Sequence, residues 1–457
     1  MDPAVGSGGG IFTGTATDTA QAASAALFRS APAAVVSAGG DEQAAAGAEA
    51  ARLGIPFLPV TGAESMEKVR DELDRLGAAA VLTFGTPEAG WEQILGGREQ
   101  TNVAGALPEF TTASDAADAV LLTDGSPAAS AADATARAAG ATVLQVPGGD
   151  PRADGNVIRT LAERPDAAVY AAGESFGTPE LFDRRLATAR TGVELPGGGQ
   201  TVFPGRRMVA LYGHPGGGSL GVLGEQGIEA TIERARATAA AYQPHSTEPV
   251  IPALEIIATV ASAEPGTDGN YSRATSAQDL LPWVDAAEKA GVYVVLDLQP
   301  GRGTFLDQAR LYEDLLARPS VGLALDAEWR LAPGQRHLEQ IGSVDAAEVN
   351  EVARWLAALT RDRSLPQKVL MLHQFNSAMI TNRAQLDVSQ DELAVSLHAD
   401  GHGTPGEKLD TWNTLLAGLQ PGIWPGWKNF YDEDRPTLSP EQTFTQVSPK
   451  PWFISYQ

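Results

Sequence analysis

The sequence predicts an α/β protein, with two tandem small parallel α/β (Rossmann-like) repeats followed by a (β/α)8 TIM-type barrel. Three observations predict it. An internal repeat of strand-like segments fills roughly the first 200 residues. Roughly 250 residues of alternating apolar runs and helical segments follow, the size of one such barrel. Nearly every apolar run in that second part ends in polar residues. A chain of 457 residues also exceeds what one hydrophobic core sustains, so several domains are expected.

The first repeat, residues 11–105, reads "AAVVSAGG" (33–40), an Ala-rich helical stretch, "LGIPFLPV" (53–60), the charged helix "SMEKVRDELDRLG" and "AAVLTFG" (79–85). The second, residues 106–195, reads "DAVLLTDG" (118–125), another Ala-rich stretch, "GATVLQVPGG" (140–149), a helix around "NVIRTLAERP" and "AAVYAAG" (167–173). Starts at 33 and 118, 53 and 140, and 79 and 167 keep nearly one spacing. Strands separated by helices of this length form parallel layers. The strand ends "SAGG" and "TDG" lack both G-x-G-x-x-G and a P-loop, so they give no nucleotide site.

The order "GTATDTAQAASAALF", "AVVSAGGDEQAAAGAEAARLGIPFLPV", "VRDELDRLGAAAVLTFG" resembles the cell-wall-binding repeat 2 family of Gram-positive surface proteins. The resemblance covers about residues 11–195 and is looser in the second copy. It departs from the family in two ways. "TDTA" (17–20) stands where an Asp-Arg-Tyr is usual, and two copies are present rather than three. What the resemblance implies is attachment to a cell-wall polysaccharide, hence an extracellular or envelope location.

"ELPGGGQTVFPGRR" (194–207) is rich in Gly and Pro, and residues 196–206 are expected as a linker. The barrel is expected over 207–457. Its strands are "RMVALYG" (207–213), "VIPALEIIATVAS" (250–262), "VYVVLDLQPG" (292–301), "VGLALDAEW" (321–329), "KVLMLHQF" (368–375) and "LAVSLHADGHG" (393–403). Runs near "GIWPGWKNFY" (422–431) and "PWFISYQ" (451–457) complete eight. Five segments between them read as helices: "GIEATIERARATAAAY", "AQDLLPWVDAAEKAG", "TFLDQARLYEDLLAR", "AAEVNEVARWLAAL" and "KLDTWNTLLAG". An open doubly wound sheet is the alternative. Polar residues at most strand ends, rather than at one switch point, favour the barrel.

A barrel builds its site at the C-terminal strand ends. Those ends carry Tyr212 and His214, then Glu255, then Asp297, Gln299 and Arg302. Next come Asp326, Glu328 and Trp329, then His373 and Gln374, then His398, Asp400 and His402, and last Trp424, Trp427 and Lys428. Side chains two apart on a strand share a face, so Asp326 and Glu328 are expected in one mouth. Paired carboxylates suit glycoside hydrolysis, one protonating the leaving oxygen and the other attacking or activating water. Glu328 or Asp326 is expected as the acid and Asp297 or Glu255 as the second carboxylate. His373, His398 and Asp400 are expected to position substrate, and Trp329, Trp424, Trp427 and Tyr431 to offer flat faces to sugar rings. Trp283, Trp355 and Trp412 lie on helices and are expected in the core. "LDAEW" also resembles the Asp-x-Glu strand end of several barrel glycosidases, including the muramidase-type lysozymes of family 25.

Two other classes compete. The histidines with Asp326 and Asp400 offer ligands to a metal-assisted hydrolase, although no H-E-x-x-H is present, so no metal is expected. A non-catalytic polysaccharide-binding barrel is the other. Serine catalysis lacks its G-x-S-x-G elbow, and "GGGSLG" (216–221) reads as a loop able to cover the mouth.

Composition narrows the partners. A net charge of −24 without a basic run disfavours nucleic acid and anionic membranes. No apolar stretch is long enough for a transmembrane helix. The start "MDPAVGSGGGIF" does not read as a signal peptide as written. Zero cysteines exclude disulfides and thiolate chemistry. The expected partner is a cell-wall polysaccharide, with no cofactor; oligomeric state is not encoded in any pattern here.

Overall fold

The computed structural model describes residues 2–3, 9–38, 42–85, 90–102 and 118–457. Two compact units divide the chain, Met1–Gly192 and Val193–Gln457. The boundary expected between residues 105 and 106, and the glycines ending "SAGG", lie outside the described residues.

The first unit holds two four-stranded parallel sheets. The strands of these two sheets are β1 (Gly10–Phe12), β2 (Ala33–Ala38), β3 (Phe57–Val60), β4 (Ala80–Phe84), β5 (Glu99–Asn102), β6 (Ala119–Thr123), β7 (Thr142–Gln145) and β8 (Ala168–Ala172). One sheet runs β3-β2-β4-β5 and the other β7-β6-β8-β1. Each sheet thus has the three strands expected plus a fourth, and the fourth strand of the second sheet comes from the start of the chain.

Helix α1 (Ala16–Leu27) follows β1, and α2 (Gln43–Leu53) and α3 (Ala63–Leu76) follow β2 and β3. Next come α4 (Ala129–Ala138), α5 (Gly155–Glu163) and α6 (Pro179–Ala189). The Ala-rich composition has a packing reason: α1 and α4 lie against one another through Ala20, Ala23, Ala131 and Ala132, all fully buried or nearly so. The "TDTA" that departs from the family pattern starts α1. Thr15 and Asp18 form a capping box there, satisfying backbone N–H groups that the first turn leaves unpaired.

The second unit is a closed barrel of eight parallel strands. They are β9 (Arg207–Gly213), β10 (Val250–Ala261), β11 (Tyr293–Leu298), β12 (Val321–Asp326), β13 (Lys368–Gln374), β14 (Leu393–Ala399), β15 (Trp424–Asn429) and β16 (Phe453–Tyr456). Each pairs with its sequence neighbour, and β16 pairs with β9 to close the ring. Outside it lie α7 (Ile228–Tyr242), α8 (Ala277–Ala290), α9 (Phe305–Arg310), α10 (Ala346–Asp362), α11 (Pro405–Leu416) and α12 (Pro440–Gln446). Short 3-10 turns replace a helix between β13 and β14. Trp283 and Trp412 are buried under this helical layer and Trp355 packs partly against it, as expected.

Alternation sorts the strand residues. Val209, Leu211, Leu254, Ile256, Leu296 and Leu323 face the helices. Met208, Ala210, Ala253, Val295, Ala324 and Met371 fill the lower lumen. Near the bottom Tyr293 crosses the lumen and accepts from the Val369 N–H at 3.1 Å. Gly322 makes room for it, since a Cβ there would sit 3.0 Å from the Tyr293 hydroxyl.

Residues 193–206, expected as a linker at 196–206, close the bottom of the barrel instead. Leu195, Val202 and Phe203 are buried against Met208, Ile251 and Phe453. The buried Arg206 guanidinium donates to the carbonyls of Pro196, Gly198, Thr201 and Val202. Gly and Pro here make a tight plug, not a free tether.

Candidate active site

Two residues further along each inward row the lumen turns polar. Tyr212, Glu255, Asp297, Asp326, His373, His398 and Lys428 all project inward above the apolar layer, and all are buried. Above them opens a pocket of about 520 Å3. Seven of the residues expected at the site line it: Tyr212, Gln299, Glu328, Trp329, Asp400, His402 and Lys428. Ser219 and Leu220, from the loop expected to cover the mouth, lie on its rim.

His373 organises the floor. Its Nε2 lies 2.7 Å from Glu255 Oε1 and its Nδ1 lies 2.9 Å from Asp400 Oδ2. Burial works against the imidazolium, but the two carboxylates outweigh it and hold His373 well above the usual histidine range. In return, and against their own burial, His373 holds Glu255 and Asp400 below the usual carboxylate range. His398 sits beneath, its ring edge-on to His373 at 4.8 Å and its Nε2 3.2 Å from the Ser455 hydroxyl. With no carboxylate bonded to it, burial pushes it down to about 3, so it is neutral.

The remaining carboxyls go the other way. Burial, followed by the charge on Glu328, raises Asp326 well above the normal range. Burial and the neighbouring Asp400 raise Glu328 to about 7. Burial raises Asp297 to about 6, although Tyr212 donates to its Oδ2 at 3.0 Å. Lys428 lies 3.6 Å from the centre of the Tyr212 ring and adds positive charge to this acidic cluster. Among the described residues, Asp297 Oδ1, Asp326 Oδ1, Asp400 Oδ1 and Glu255 Oε2 have no hydrogen-bond partner. Such orphaned acceptors are costly in a folded core and mark a site shaped for chemistry or a ligand.

Glu328 reaches the mouth pocket, whereas Asp326 stays buried in the lumen outside its lining. β12 ends at Asp326, and residues 327–329 form a 3-10 turn that lifts Glu328 to the pocket wall. The two carboxylates expected as the second member lie lower. Glu255 is fully buried against His373, and Asp297 is fully buried against Tyr212. Asp400, expected only to position substrate, lines the pocket together with Glu328 and Glu433.

Six expected site residues are elsewhere. Gln374 neighbours His373 on β13 and therefore faces outward, donating to the Asn376 and Ser377 carbonyls. Trp427 faces outward too; it is 1% exposed, packs on Trp412 and donates to Asn429 Oδ1. Trp424 begins β15 at the opposite end, among Phe203 and Trp452. His214 is tied to Thr275 and Arg302 to the Gln335 carbonyl, both outside the pocket lining. Tyr431 stacks on Tyr456, away from the pocket. Conversely, Phe375, Phe430, Thr411 and Glu433 line the pocket without having been anticipated. The parity that placed His373 and Lys428 inward also points to Phe375 and Phe430, two residues on.

No metal is expected, but most of the ligands weighed for the alternative, though not His402, fall in two clusters. Oxygen or nitrogen atoms of Asp326, His373 and Asp400 lie within 4.8 Å of one another, as do those of Glu255, His373 and His398. Both sets share His373, whose two nitrogens are already engaged by carboxylates. A metal there displaces one of those hydrogen bonds.

No family model, curated protein or solved structure matches this chain.

Proposed function

We propose that the barrel is a glycoside hydrolase acting on a cell-wall polysaccharide. The observation that carries this reading is two carboxyl groups lining one pocket whose environments push their proton affinities apart: Glu328, raised to about 7, and Asp400, held below the usual carboxylate range by His373. Glu328 protonates the glycosidic oxygen as the bond to the leaving sugar breaks. Asp400 then attacks the anomeric carbon or takes a proton from the water that does. Asp326, whose proton affinity burial and the Glu328 charge raise, supplies a protonated carboxyl near this pair. Trp329, Phe375 and Phe430 supply apolar faces for sugar rings.

In this reading the protein is exported, and the N-terminal unit attaches it to the wall, as the resemblance over residues 11–195 implies. Release of soluble sugars from fractionated Gram-positive wall polysaccharides tests it, comparing wild type with Glu328→Gln and Asp400→Asn. Wild-type release, cut about 10²–10⁴-fold by either folded variant, is the expected result. Equal release by wild type and both variants overturns the assignment.

One observation favours a second reading, a metal-assisted hydrolase. The unpartnered Asp326 Oδ1 and Asp400 Oδ1 belong to the Asp326–His373–Asp400 cluster. Activity abolished by a chelator and restored by a divalent ion would replace the first reading with this one.

A further inference from the structure

We propose that the mouth pocket is one half of a longer groove, which holds an internal stretch of an uncharged or amino-bearing sugar chain. The inference rests on the glycosidase reading and names its substrate class and mode of attack.

A second pocket, of about 290 Å3, lies between the residues after β13 and helix α11. Phe375 and Thr411 line both pockets. Gly401 sits at the neck between them: a Cβ there would stand 3.5 Å from both Phe375 Cβ and Thr411 Cγ2. Glycine leaves the space beside these two shared residues free of a side chain. The mouth pocket alone has the volume of a site for a drug-sized ligand. The second adds room beyond it.

The chemistry of the second pocket suits a sugar ring. Phe375 and the buried Leu415 offer apolar surface, while the exposed Asn376, Asp410 and Thr414 surround it with polar groups. Phe375, half-buried at the crossing, is the platform that a continuous chain would pass over. Charge selects among chains. Among the described residues, Asp410 is the only ionisable group lining the second pocket, and Glu328, Asp400 and Glu433 line the first with Lys428 and His402. A phosphate- or uronate-rich polymer meets like charge along this path, whereas a neutral or amino-bearing chain does not. A chain held on both sides of the acid is cut internally.

The test uses the full chain on neutral and anionic wall-polysaccharide fractions, with released products sized over time. Thr414→Trp fills the second pocket from an exposed position on α11, and Ser377→Trp fills it from the opposite side should the first variant fail to fold. The expected result is an early mixture of oligosaccharides from a neutral fraction. Either tryptophan variant then lowers kcat/KM on the polymer about tenfold, but by less than about twofold on the shortest fragments cleaved. Release of only a terminal mono- or disaccharide, polymer cleavage unaffected by both variants, or preference for the anionic fraction overturns the groove. Cleavage of no fraction overturns the glycosidase reading itself. In that event, retention on the neutral fraction that is weakened by the variants supports the groove, and unchanged or absent retention overturns it.

Discussion

At the scale of single residues, the site is an exercise in keeping acid groups apart in protonation state. Five carboxyls share one lumen with His373 and Lys428, and not all of them can be charged at once. The arrangement predicts a bell-shaped dependence of kcat/KM on pH. Asp400, held below the normal carboxylate range, sets an acidic limb below that range, and loss of the Glu328 proton sets an alkaline limb near pH 7. Rates measured from pH 3 to 9 check it, and an alkaline limb above pH 9 would remove Glu328 from the acid role. Stability carries the same signature. Glu328 binds its proton at about 7 when folded against 4.5 ordinarily, so between those values the folded chain holds the extra proton. That contribution is therefore lost as pH rises through this window. Glu328→Gln is expected to raise Tm at pH 8 and leave it unchanged at pH 4, each kcal/mol being worth about 2–4 °C in a unit of this size. Thermal melts at the two pH values measure the difference.

At the scale of elements, parity explains both what the sequence revealed and what it concealed. Counting by twos along an apolar run put Asp326 with Glu328, Asp297 with Gln299, and His398 with Asp400 and His402 on one face each, because the alternation of a strand is local and needs no knowledge of the fold. The same count gives Gln374 and Trp427 to the outer face once a strand's first inward residue is fixed. Trp424 failed for another reason: nothing local tells the beginning of a short strand from its end, and "GIWPGWKNF" offers an aromatic at each. Which of several carboxylates meets the pocket was not legible at all. It depends on a 3-10 turn raising Glu328 and on His373 drawing Glu255 down, and both are tertiary facts. Loops after β14 and β15 are held by a similar non-local device. Lys408 on α11 donates to the Lys428 carbonyl at 2.7 Å and to Asp434, which accepts from the Gly403 and Phe430 N–H groups. Lys408→Met leaves Asp434 charged and buried, at an expected cost of about 3–5 kcal/mol. Urea unfolding measures that cost, and a raised KM would report the loosened Lys428 and His402.

At the scale of the whole molecule, the barrel begins earlier than its first strand. Leu195, Val202, Phe203 and Arg206 seal its floor, so a fragment of residues 193–457 is expected to melt cooperatively. One of residues 207–457 exposes the floor and loses about 5 kcal/mol or more, more than a single buried aromatic contributes. Circular dichroism melts of the two fragments decide it; equal stability would return the segment to the status of a tether. The first unit is interlaced differently, and that has a consequence for its birth on the ribosome. The sheet of β2 to β5 is complete within about 100 residues of the N-terminus, but Gly10 pairs with Tyr170, which is made 160 residues later. At about 5–20 residues per second, β1 waits some 8–30 s for its partner strand. During that interval β1 is an unclaimed strand edge, and β8 is what retires it.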